Sequence, residues 1–122
     1  MLYEGSSETL RGYCSAMFGG TPAEKLAQYA ASSPIADVAR VEAPLLIIQD
    51  RNDTRTPARP VEVYVERLQA LRKTVEVDWF DTGHVGGFAD IDLGIPHQER
   101  MLRFAQDWLD GSLPAAPASG AR

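Results

Sequence analysis

Two polar loops carry the residues with chemical potential. Asp53 lies in Arg51-Asn52-Asp53-Thr54-Arg55-Thr56-Pro57, and His84 closes Asp81-Thr82-Gly83-His84. Each loop directly follows an apolar segment. An acid followed along the chain by a histidine is the order of the back half of a serine hydrolase triad. A carboxylate facing one imidazole nitrogen fixes the tautomer and leaves the other nitrogen free as a base. The front half has no counterpart, because no Gly-x-Ser-x-Gly occurs in these 122 residues. Taken singly, Asp53 reads more readily as a turn or helix-capping aspartate, and His84 can be an ordinary loop histidine.

The elements that must position this pair are legible in outline. Leu45-Leu46-Ile47-Ile48 is an unbroken apolar run, which suits a parallel-sheet strand covered on both faces. Val61, Tyr64, Val65, Leu68 and Leu71 share one helical face, so a helix is predicted from about Ala58 to Arg72. Val75, Val77 and Trp79 alternate with Glu76, Asp78 and Phe80, the pattern of a second, more edge-like strand. Strand, helix and strand at these spacings form a βαβ unit, with Asp53 and His84 in loops at the carboxyl ends of its strands.

Helices flank that unit. Leu10, Tyr13, Cys14, Met17 and Phe18 are helically spaced, with Ser6 or Ser7 as the cap and Gly19-Gly20 as the stop. Thr21, Pro22 and Glu24 form a capping box that starts a helix running to about Ala31. Pro96 is expected to open a last helix with Met101, Leu102, Ala105, Trp108 and Leu109 on its buried face, ending at Gly111. The expected fold is thus α/β, two parallel strands with about four helices. Residues 1–112 make one partial domain, and 113–122, rich in Pro, Ala, Ser and Gly, a disordered tail.

Composition narrows the partners. A net charge of −5 with interspersed basic residues excludes the basic stripe of a nucleic-acid binder. No apolar run has membrane-spanning length, and the N-terminus lacks a signal-like pattern, so a cytoplasmic location is expected. The single cysteine, Cys14, excludes an internal disulfide and fits a reducing compartment. Asp90, Asp92 and His97 lack tight metal-ligand spacing, so no metal or cofactor is expected. Arg51 and Arg55 could meet a substrate carboxylate or pair with Asp50. Ser6, Ser7 and Ser15 have no preceding strand to form a nucleophile turn, and Cys14 and the tryptophans read as core.

The segment Ala43 to Pro57, APLLIIQDRNDTRTP, resembles the acid-bearing strand and loop of the prolyl oligopeptidase (S9) family of serine peptidases. There an Asn-Asp-x-Arg-x-Pro loop holds the triad acid, which falls on Asp53. The family's Gly-His falls on Gly83-His84, and Leu10 to Pro34 resembles its segment between nucleophile and acid. The resemblance spans about Tyr3 to Leu109. It implies the C-terminal part of an α/β-hydrolase domain, with Asp53 and His84 catalytic and Arg55 a substrate-binding candidate for a peptide-like or ester substrate. Asp50 departs from the family's usual Gly, and Val85 to Ile95 is longer and more acidic than the minimal family loop.

Two strands cannot make a self-sufficient parallel sheet, so a copy of the chain or a second chain is expected to complete it. Three activities fit. The chain is the acid-and-base portion of a truncated hydrolase, inactive alone. Alternatively, it is a repurposed, non-catalytic binding or interaction module, or its Asp-His pair is a general base for non-hydrolytic chemistry.

Overall fold

The computed structural model describes residues 2–84 and 86–113. Strand β1 (Leu45–Asp50) pairs in parallel with β2 (Val75–Phe80), in register from Leu45 opposite Val75 to Asp50 opposite Phe80. Before β1 come α1 (Leu2–Gly5), α2 (Glu8–Phe18), α3 (Leu26–Ala31) and a 3₁₀ segment, Pro34–Arg40. Helix α4 (Ala58–Ala70) crosses between the strands, and α5 (Gly86–Ala89) and α6 (Ile91–Leu109) follow β2. The βαβ unit and the four expected helices are therefore present, in a mixed α/β arrangement.

Local chemistry explains the element ends. Ser7 caps α2 by accepting the Leu10 N–H at 3.3 Å. Pro60 lies in the first turn of α4, where a missing N–H removes no helical bond. At the far end of α6, Gly111 N–H bonds Trp108 C=O and Ser112 N–H bonds Asp107 C=O, with Gly111 left-handed at φ 73°. That paired arrangement satisfies the last carbonyls of the helix.

Two helix starts differ from expectation. The Thr21 N–H donates to the Glu24 carboxylate at 2.8 Å, which is half of a capping box. The Thr21 hydroxyl also donates to that carboxylate, and Glu24 N–H turns back to Thr21 C=O. Residues 22–25 consequently form turns, and α3 begins only at Leu26. Pro96 does not open the last helix. Asp90 caps it by accepting the Asp92 N–H at 2.9 Å, so α6 begins at Ile91 and carries Pro96 in its second turn. Only the bond to the Asp92 carbonyl is forgone. The stretch expected as an extended loop is thus largely helical.

The core is thin. Val38, Val65 and Leu68, with Pro44 before β1, are the buried apolar residues among those described, and Leu68 is completely enclosed. Helix α4 packs on both strands and on the 3₁₀ segment, as its apolar face requires. Along β1, Leu45 to Gln49 are only half-buried. The expected covering of both faces is not reached among the described residues.

Helix α6 turns a different face inward from the one its pattern indicated. Leu93, His97, Arg100, Phe104 and Asp107 form the half-buried stripe. His97 lies against Phe80 with ring centroids 4.7 Å apart, and Arg100 bridges Glu76 and Asp78 on β2. Those strand positions alternate outward on one face, so the guanidinium selects which side of α6 docks. Met101, Leu102, Trp108 and Leu109 are left exposed, together with Ile91 and Ile95. The Pro, Ala, Ser and Gly tail expected to be disordered lies, from residue 114 onward, outside the described residues.

Candidate active site

Asp53 is positioned by the loop that leaves β1. Its Oδ1 accepts the N–H of Arg55 at 2.7 Å and of Thr56 at 2.8 Å, and its Oδ2 accepts the Thr56 hydroxyl. This is a turn built around an aspartate, which the local sequence favours in any case. Gln49 braces the loop from the strand by donating its amide to Thr56 C=O at 2.9 Å. The side chain of Asp53 is only 6 % exposed.

The turn does not use up the carboxylate. Oδ2 also meets His84 Nδ1 at 2.8 Å, so the two loops singled out by sequence do converge. Burial by itself would raise the Asp53 pKa. The Thr56 hydroxyl and N–H, His84 and the Arg55 N–H outweigh it and hold the carboxyl far below the ordinary range. Asp53 is therefore anionic throughout the neutral range. It favours the proton on Nδ1 and would stabilise an imidazolium.

His84 is 37 % exposed at its side chain, and no described side chain is hydrogen-bonded to Nε2. An open depression of about 610 Å³ adjoins the loop through Thr82 and Gly86 and is lined further by Ala89, Asp90 and Ile91.

The backbone before His84 is held unusually firmly. Asp50, the last residue of β1, is 3 % exposed. Its Oδ1 accepts the Asn52 N–H, and its Oδ2 accepts the N–H groups of Thr82 and Gly83 and, at 3.1 Å, the Thr82 hydroxyl. Burial pushes the Asp50 carboxyl up, and these bonds, led by Thr82 N–H, pull it below the ordinary range. Gly83 takes φ 91°, and a Cβ on Gly86 would fall on the Thr82 side chain. Both glycines are thus dictated by the path of this loop.

Other candidates have different uses. Arg55 lends its backbone N–H to Asp53, while its exposed guanidinium has no ion-pair partner among the described residues. Arg51 lies 4.7 Å from the Trp79 ring, and neither arginine pairs with Asp50. Ser7 is a helix cap and Ser15 bonds the Tyr3 hydroxyl at 2.9 Å. Ser6 is buried and Cys14 half-buried. Asp90 caps α6, and His97 packs on Phe80, so neither joins Asp92 in a ligand cluster. Trp108 is 40 % exposed rather than core. Among the described residues, no helix is long and apolar enough to cross a membrane.

The sequence model of the prolyl oligopeptidase family matches residues 2–112. The chain belongs to this family. No solved structure gives a significant match to it. Membership agrees with the mixed α/β arrangement. Within this prolyl oligopeptidase segment, Asp50 stands out in the sequence as a departure from the family pattern and as an ion-pair partner for Arg51 or Arg55. Its several bonds to the loop after β2 emerge only once that loop is in place. The one local signal was a carboxylate ending an apolar strand, where it must find donors.

Proposed function

We propose that this chain supplies the acid and base of a serine hydrolase acting on peptide or ester bonds. The observation that carries the reading is the 2.8 Å contact of His84 Nδ1 with a buried, anionic Asp53, in a ring whose side chain is 37 % exposed. In that arrangement Nε2 accepts the proton of an attacking serine hydroxyl and later returns it to the leaving group. Asp53 holds the ring in the required tautomer and balances the imidazolium formed meanwhile. Arg55 is free to meet a substrate carboxylate.

The serine is supplied by polypeptide outside these residues, since no nucleophile turn occurs within them. Taken alone, the chain is inactive. The half-buried β1 and the exposed apolar side chains of α6 support a reading in which a second copy or another polypeptide completes the sheet and its cover. The setting is cytoplasmic, in keeping with the single free cysteine. Light scattering coupled to size exclusion tests the association, and a well-folded monomer would contradict it.

A fluorophosphonate probe followed by peptide mapping tests the catalytic reading. No serine of this chain should be labelled, and any ester hydrolysis by the chain should fall to background. A labelled Ser6, Ser7 or Ser15 would overturn the assignment of the nucleophile elsewhere. The exposed apolar side chains also favour a second reading, an interaction module in which the dyad is idle. On that reading, replacing both Asp53 and His84 leaves folding, association and every activity of the assembly unchanged.

A further inference from the structure

We infer that Asp50 is a positioning residue for His84, clamping the histidine loop to the end of β1 so that the imidazole meets Asp53. The inference rests on the acid-and-base reading above and adds a residue to it. The geometry is specific. One carboxylate oxygen gathers the N–H groups of Thr82 and Gly83 and the Thr82 hydroxyl, across the strand pair and one residue before His84. The other oxygen takes the Asn52 N–H, immediately before Asp53. A single buried side chain is therefore bonded to the residue preceding each member of the dyad.

The chemistry requires an anion. Four donors converge on two oxygens, and an amide side chain presents only one acceptor atom. Asparagine at position 50 would face either Asn52 or the Thr82–Gly83 pair with its own N–H groups, in a place where water cannot readily compensate. Thr82 also lies close against Gly86, where a Cβ would fall on the Thr82 side chain. The loop thus has one seat. Without the clamp, Gly83 leaves the His84 backbone free to swing. An imidazole displaced by even 1 Å loses a good hydrogen bond to Asp53.

The test reads the ring, not only the stability. Ring ¹⁵N shifts of His84 report which nitrogen carries the proton, and Asp53→Asn gives the reference for a broken dyad. In the wild type the proton should sit on Nδ1, and in Asp53→Asn the pattern should invert. Asp50→Ala should move the pattern at least halfway toward that reference, with Asp50→Asn between. A merely structural Asp50 would lower the melting temperature and leave the ring pattern of the folded protein unchanged, which would overturn the inference. If Asp53→Asn itself has no effect, the dyad reading falls, and this inference with it. Should Asp50→Ala not fold, amide exchange in the wild type decides. Thr82 and Gly83 should be protected as strongly as the β2 amides, and exchange at open-loop rates would refute the clamp.

Discussion

The carboxyl end of the sheet and the outer face of α6 are built to opposite standards. At the sheet end, Asp50 and Asp53 are buried, and every one of their oxygens has donors from the protein itself. On α6, Ile91, Ile95, Leu102 and Leu109 are more than half exposed, with nothing among the described residues to cover them. The end that holds the dyad is finished, and the flank that should protect it is not. A fold can therefore retain a pre-organised polar site while lacking the apolar cover around it. Local hydrogen bonds between neighbouring loops need only the βαβ unit, whereas burial needs a partner surface.

The sharpest way to break the comparison is through the little core that does exist. Leu68→Ala should cost about 2–5 kcal/mol in urea unfolding, because its side chain is wholly enclosed. A loss below about 1 kcal/mol would show that α4 is not the pillar of the unit. Asp53→Asn comes next. The amide keeps an acceptor for Arg55 and Thr56 but offers His84 a donor, so roughly 1–3 kcal/mol of stability should be lost.

Acid should act on the same end of the molecule. The folded pKa values of Asp50 and Asp53 both lie below the 3.8 of a free aspartate. Their contribution is complete above that pH and drains away as pH falls below it towards the folded values. The unfolding midpoint should thus decline below about pH 4, with a shallower decline in Asp53→Asn. The smallest effect on folding is expected on α6. Leu102→Ser should change monomer stability by less than about 0.5 kcal/mol yet weaken association measured by light scattering. A large folding penalty would mean that this face is already covered within the chain.

These contrasts also decide what could be read from sequence. β1, α4 and β2 were legible because their signals are local: an apolar run, a helical stripe and an alternation, separated by polar loops. The convergence of Asp53 and His84 was legible because parallel strands place both following loops at one end. The docking face of α6 was not. Its richest apolar stripe holds Met101, Leu102 and Trp108, but Arg100 finds Glu76 and Asp78, and His97 finds Phe80, so a mixed stripe faces the sheet. The start of α6 was missed because Pro96 looked like a first-turn proline, while Asp90 upstream was the better cap. Asp50 was undervalued because its donors are backbone groups, which carry no mark in the sequence.

The central claim is that Asp53 holds His84 as a base with Nδ1 protonated and Nε2 free. Ring ¹⁵N spectra of the wild-type chain near neutral pH measure this directly. The expected result is a single His84 pattern with the proton on Nδ1, lost when Asp53 becomes Asn. A proton mainly on Nε2, unchanged by that substitution, would contradict the account.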